Sequence, residues 1–235
     1  MNLASILGKA GRQAVDLLFP PRCAVCGSSD SFLCPRCQGS LPAAEPPRCS
    51  VCWQPADREE VCSKCARSWP AFDGLRSPFV FQGGVRELVH GLKYQHQSVL
   101  AESMAELLFH FLEGSPRPVD VVVPVPLFPR RQRVRGYNQS GLLAAALARR
   151  MELPVDGRSL VRLRSTASQA ETQNVEERRV NVRDAFGCHD RQLAGRRVLL
   201  IDDVSTTGAT LDACAQALRR AGATSVWALT FAHED

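Results

Sequence analysis

The sequence predicts an α/β protein, a mostly parallel sheet with flanking helices, preceded by a small N-terminal module rich in cysteine. Three observations carry that prediction. Eight of the ten cysteines fall between Cys23 and Cys65, in four C-x-x-C pairs. Two aliphatic runs, at 119–126 and 196–204, each lead into a polar loop and then into a helical pattern, the unit from which parallel sheets are built. The composition, 45% hydrophobic and 23% charged over 235 residues, is that of a globular chain and excludes one that is disordered as its main state. The natural division is residues 1–70, an N-terminal helix and the cysteine module, and residues 71–235, the sheet.

At the N-terminus, Leu3, Ile6, Leu7, Ala10, Ala14, Leu17 and Leu18 follow a helical period, but Lys9, Arg12 and Asp16 interrupt it. A signal peptide needs an unbroken apolar centre and a small-residue cleavage site. The expectation is an amphipathic docking helix, with peripheral membrane association as the minor alternative. The apolar stretch at 119–128 is broken by Pro124 and Pro126 and is far short of the ~20 residues of a bilayer span, so no transmembrane segment is expected.

The cysteine pairs are Cys23/Cys26, Cys34/Cys37, Cys49/Cys52 and Cys62/Cys65, separated by seven, eleven and nine residues. Two thiolates three positions apart can enter one tetrahedral site from a tight knuckle, and two knuckles complete a four-sulfur shell around zinc. Eight sulfurs therefore predict two sites. A disulfide framework would need a secretory signal, and redox C-x-x-C pairs seldom come in fours. Sequential and interleaved pairings satisfy the same arithmetic. The sequential one needs only short hairpins and is preferred: Cys23, Cys26, Cys34 and Cys37 for one site, and Cys49, Cys52, Cys62 and Cys65 for the other. Four protein ligands leave no position for a catalytic water, so both metals are expected to be structural.

Loading with zinc also alters the charge. The formal +5 counts each Cys as neutral; eight thiolates contribute −8 and two zinc ions +4, which leaves about +1. Overall charge is thus weak evidence for nucleic acid. Local charge is more informative, because Arg130, Arg131, Arg133 and Arg135 directly follow the first aliphatic run, and a helix over 142–151 follows them. The expected order is strand, basic loop, helix. Ligands of open α/β sheets gather at the carboxyl ends of the strands, where these arginines would meet an anion.

The second run ends in Asp202-Asp203 and is followed by Ser205-Thr206-Thr207-Gly208-Ala209-Thr210, then by a helix with Leu211, Cys214, Ala215 and Leu218 inward and Gly222 at its close. Backbone N–H groups and hydroxyls at a helix N-terminus make a phosphate cradle, and Gly208 permits close approach. Carboxylates beside such a cradle are repulsive unless they accept hydroxyl hydrogen bonds, hold a cation, or stabilise developing positive charge. A sugar phosphate meets all three conditions.

The thirteen residues from Val198 to Thr210 closely resemble the 5-phosphoribosyl-1-pyrophosphate (PRPP) motif of type I phosphoribosyltransferases, with Ser205 where that pattern usually has an aliphatic residue. The resemblance extends further. Leu17-Leu18-Phe19-Pro20-Pro21-Arg22-Cys23, Pro124-Val125-Pro126-Leu127, Arg135-Gly136-Tyr137-Asn138-Gln139, and Thr166 through Ser168-Gln169, Arg178, Asn181 and Ala185-Phe186 are similar to the ComF family, which includes the ComFC and GntX proteins of bacteria. Thr172 departs from it, standing where the family commonly has an aliphatic residue.

The resemblance implies a type I phosphoribosyltransferase-like domain behind a double zinc ribbon, a cytoplasmic location, and a part in DNA uptake during transformation or in the use of DNA as a nutrient. It implies that Asp202 and Asp203 bind ribose hydroxyls directly or through magnesium, and that Thr206, Thr207, Gly208, Ala209 and Thr210 hold the 5-phosphate. Arg131 and Arg135 would take the pyrophosphate, and the segment 164–181 would close over the site. No general base is evident: His90, His96, His110, His189 and His233 are scattered and read as surface or core, and Cys214 reads as packing. A short strand at 79–82, a helix marked by Val85, Leu88, Val89 and Leu92, Lys93-Tyr94 at its end, and a helix at 97–112 form the region expected, with the zinc segment, to choose the acceptor. Two functional classes follow. One is a transferase of phosphoribosyl groups. The other is a non-catalytic competence factor that holds single-stranded DNA with the same site, for which the scarcity of aromatics, at 6%, offers few stacking platforms.

Overall fold

The computed structural model describes residues 20–58, 60–94, 98–164 and 185–235. The predicted N-terminal helix and nearly all of the segment expected to close over the site lie outside the described residues.

Five parallel strands form the main sheet: β1 (Gly74–Arg76), β2 (Phe79–Val80), β3 (Val121–Pro124), β6 (Arg197–Ser205) and β7 (Ser225–His233). The order is β1-β7-β6-β3, with β2 also on β7. The nine-residue strands β6 and β7 form its centre, in register from Arg197↔Ser225 to Ser205↔His233. A separate antiparallel pair joins β4 (Leu160–Arg162) to β5 (Phe186–Cys188).

Strand side chains alternate between faces, and this period divides the core in two. Val122, Leu199, Ile201, Leu229 and Phe231 face one cluster; Val121, Val123, Val198, Leu200, Val226 and Ala228 face the other. Buried residues of α3 (Gly83–Tyr94), α4 (Leu100–Glu113) and α6 (Gln139–Met151) belong to the first cluster, and those of α7 (Ala209–Arg220) to the second. The cysteine module is split between them. Cys23 and Cys37, with Leu33 and Leu41, join the first face, whereas Cys49, Cys52 and Cys65 join the second. Short helices α1 (Pro35–Gly39) and α2 (Ser63–Arg67) each begin beside a cysteine ligand position. The module is stitched to the sheet edge by backbone bonds, Leu75 N–H to the Val51 carbonyl at 2.8 Å and Val80 N–H to the Pro42 carbonyl at 2.9 Å.

The amphipathic readings match the helices found. Val85, Leu88, Val89 and Leu92 are buried on α3, and Leu211, Cys214, Ala215 and Leu218 on α7. The arginine run differs from the expected loop: Pro129–Arg135 is a short helix, α5, with proline in its first turn and Gly136 at φ 85° closing it. No residue of α5 is buried, so its arginines are displayed to solvent on a single short helix. Strand β7 has no counterpart in the sequence reading. Ser225–His233 mixes aliphatic residues with Trp227, Thr230 and His233 and shows no period that separates strand from helix.

Candidate functional site

The carboxyl ends of β3 and β6 carry the candidate residues, as expected where parallel strands leave an open sheet. Asp202 and Asp203 are the sixth and seventh residues of β6. Asp203 is buried and its Oδ2 lies 2.8 Å from Nζ of Lys93, in the last turn of α3. Asp202 Oδ1 accepts from the Ser140 hydroxyl at 2.7 Å and from the Asp203 N–H at 2.9 Å. Burial, reinforced by the neighbouring Asp203 charge, raises the Asp202 pKa to about 7. Desolvation pulls Lys93 down, but the Asp203 carboxylate more than offsets this and holds its pKa above the usual value. The site thus holds an Asp203–Lys93 ion pair beside an Asp202 carboxyl that burial keeps protonated more readily than usual.

Ser140 is brought there by a cap. Asn138 accepts the Ser140 N–H through its own side chain at 3.2 Å, starting α6, and its Nδ2 donates to the Val125 carbonyl at 3.0 Å, tying the helix start to the end of β3. Ser140 and Lys93 are site residues that the sequence reading passed over. Nothing in the sequence around Lys93 marks its reach to β6.

Thr206, Thr207, Gly208, Ala209 and Thr210 form the half-buried turn into α7. Gly208 is the N-cap of this twelve-residue helix at φ 75°, a left-handed conformation that glycine adopts without steric cost. Phe72 backs the turn: a Cβ at Gly208 would stand 3.7 Å from its ring. The Thr207 hydroxyl accepts from Ala209 N–H at 3.4 Å.

Arg131 and Arg135 line, with Lys93, Tyr94, Phe128 and Arg130, a cleft of about 470 Å³. Arg135 donates to Gln139 Oε1 and stacks on Tyr94 with its guanidinium 5.2 Å from the ring. Lys93 lines this cleft and also pairs with the buried Asp203, so one side chain links the basic helix to the acidic pair. Arg162, stacked on Phe186 at 5.4 Å, feels the Arg131 charge: burial first, then Arg131, lowers its pKa. His233 is buried rather than isolated, with Nδ1 at 3.4 Å from Asp235 Oδ1.

The sulfurs of Cys23, Cys26, Cys34 and Cys37 all lie within 4.8 Å of one another, and so do those of Cys49, Cys52, Cys62 and Cys65. The grouping is sequential. Cys26–Cys34 at 3.8 Å and Cys52–Cys62 at 3.7 Å match the ~3.8 Å edge of a tetrahedron with ~2.3 Å zinc–sulfur bonds. Backbone N–H groups of Cys34 and Cys62 point at Cys23 and Cys49 sulfurs at 3.5 and 3.3 Å. Without a cation, Cys26 and Cys37 of the first cluster are pushed in opposite directions. Hydrogen bonds from Ser28 hold Cys26 down at about 6, while its hydrogen bond to Cys26, and burial, push Cys37 up to about 12. A dication removes that conflict, so the donor sets fit zinc ribbons.

Among the described residues no helix is long and apolar enough to cross a membrane.

A parallel sheet with a glycine-capped turn after an acidic pair, joined to two cysteine tetrads, defines a phosphoribosyltransferase-like protein with a double zinc ribbon. Family models agree: residues 14–66 match the double zinc ribbon domain and residues 138–234 the phosphoribosyl transferase domain. The DNA utilization protein YhgH of Salmonella typhi is 33% identical over 218 residues, 88% of each chain. Competence protein F of Haemophilus influenzae is 28% identical over 85% of this chain and 96% of its own, and competence protein ComFC of Bacillus subtilis is 28% identical over 82% and 80%. The chain belongs to the ComF family.

Proposed function

We propose that this chain binds PRPP, or a closely related sugar phosphate, with magnesium, and serves in DNA uptake or DNA utilisation, as the names of its relatives suggest for them. The observation that carries the reading is the turn at Gly208, an anion cradle at the start of α7 directly behind Asp202 and Asp203.

Each residue has a role in this reading. The turn 206–210 holds the 5-phosphate through its N–H groups and hydroxyls. Asp202, with Ser140 beside it, accepts hydrogen bonds from the ribose hydroxyls, and its charge favours positive charge developing at the anomeric carbon. Arg131 and Arg135 take the pyrophosphate oxygens, for which a planar guanidinium is suited. Magnesium usually reaches such sites on one or two carboxylates and the phosphates of the substrate. With one acid already paired to Lys93, Asp202 and Asp203 fit that shared mode better than a dedicated cage. When bound, the ion would neutralise charge on the pyrophosphate leaving group. The chemistry suited to this arrangement is transfer of the phosphoribosyl group to or from a nitrogen acceptor.

Isothermal titration of the zinc-loaded chain with PRPP and magnesium tests the proposal. Saturable binding that is abolished by Asp202→Ala with Asp203→Ala is expected. No heat and no competition with the wild-type chain would overturn it.

A further inference from the structure

The ribbon that carries the second cysteine tetrad is in hydrogen-bond contact with the turn that follows β6. Gln54, two residues after Cys52, donates Nε2 to the Thr206 carbonyl at 2.9 Å. Lys64, between Cys62 and Cys65 on α2, donates Nζ to the Thr207 carbonyl at 2.7 Å. A trans peptide is planar, with its C=O and N–H pointing in opposite directions. Holding the Thr206 carbonyl therefore aims the Thr207 N–H away from the ribbon, and holding the Thr207 carbonyl aims the Gly208 N–H likewise. These N–H groups belong to the turn that opens α7.

The mount behind these contacts is itself fixed. Gln54 Nε2 lies 3.4 Å from Nε2 of His233, whose other nitrogen faces Asp235. Asp235 is gripped through both oxygens by Arg48, the residue before Cys49, at 2.7 and 2.8 Å. Phe72, under Gly208, belongs to the same apolar cluster as Cys49, Cys52 and Cys65. The segment 205–210 contains no lysine or arginine, so Lys64 also brings to it a positive charge that its own residues lack. The first tetrad offers an internal comparison, because it packs on the opposite face of the sheet against α3.

We propose that Lys64 and Gln54 are positioning residues of the phosphate turn, and that zinc in the Cys49–Cys52–Cys62–Cys65 site orders this turn by fixing the ribbon that carries them. The ligand half of this inference rests on the reading of the turn as a phosphate cradle; the ordering half does not. Cys62 caps α2 and Cys65 lies within it, so a bound zinc would fix the turn that presents Lys64.

Hydrogen–deuterium exchange on the full zinc-loaded chain, without ligand, reads the ordering directly. Lys64→Ala and Gln54→Ala should speed exchange in peptides covering 205–210 while zinc content stays at that of the wild type, and Lys64→Arg should restore slow exchange. Cys62→Ser should speed exchange in the same peptides, whereas Cys26→Ser should not. In a parallel titration with PRPP and magnesium, Lys64→Ala should weaken binding about 10-fold, a loss typical of one hydrogen bond to a charged group, with recovery in Lys64→Arg. Unchanged exchange at 205–210 in both Lys64→Ala and Gln54→Ala would overturn the inference, as would an equal response to Cys26→Ser. Exchange that responds as expected in a chain that binds no PRPP would support the mount and overturn the phosphate reading.

Discussion

Lys93 Nζ sits 2.8 Å from Asp203 Oδ2, with the two side chains 21% and 5% exposed, so an ammonium from the last turn of α3 is the fixed counterion of an acid at the centre of the sheet. A carboxylate this buried is expensive to leave unpaired. The pair therefore joins the first helix layer to the candidate site, and any change at one partner is felt through the other.

Lys93→Met should destabilise the chain by about 3 kcal/mol, because it strands the Asp203 charge. Lys93→Met combined with Asp203→Asn should recover most of that loss. Urea unfolding of the four members of the cycle checks this, and equal losses in the single and double variants would refute the pairing as the cause.

Asp202 makes stability depend on pH. Its pKa rises from an ordinary 3.8 to about 7 in the folded chain, so between those values the folded chain holds a proton that the unfolded chain has released. The stability it contributes is full below the lower value and lost as pH rises through the upper one. Asp202→Asn stays neutral throughout. Its melting temperature relative to the wild type should therefore increase from pH 5 to pH 8, by about 3 °C or more, even as ligand binding is lost. Thermal melts at the two pH values provide the measurement, and a constant difference would count against the shift.

The tetrads predict two zinc ions per chain. Chelation should release both, seen with a colorimetric zinc indicator, and lower the melting temperature, because metal binding supplies folding free energy to segments with little core of their own. A chain whose melt is indifferent to chelation would contradict a structural role.

Arg131→Ala and Arg135→Ala should each weaken magnesium–PRPP binding about 10-fold or more, in line with loss of a charge-assisted hydrogen bond, while thermal stability changes little because α5 buries no residue. Calorimetric titration and melts of the two variants separate binding from stability. Wild-type affinity in both would remove these arginines from the site.

The sequence by itself determined what depends on neighbours along the chain. Cysteine spacing fixed the knuckles, since two thiols three positions apart share a turn. An unbroken aliphatic run ending in polar residues marked β6 as a strand buried on both faces, and the 3.6-residue period marked the inner faces of α3 and α7. The glycine-capped turn after Asp202-Asp203 was legible because its conformation is local: Gly208 at φ 75° begins α7 where a hydroxyl-rich stretch meets an amphipathic one.

Tertiary structure decided what depends on distance. Lys93 reaches Asp203, Ser140 reaches Asp202, and Lys64 and Gln54 reach carbonyls 143 and 152 residues further along. A lysine in the last turn of a helix carries the same local signature whether it faces solvent or a buried acid. The parallel sheet makes the choice, by stacking α3 on one face of β6 and the second ribbon on the other, so that charges with no sequence relationship become neighbours.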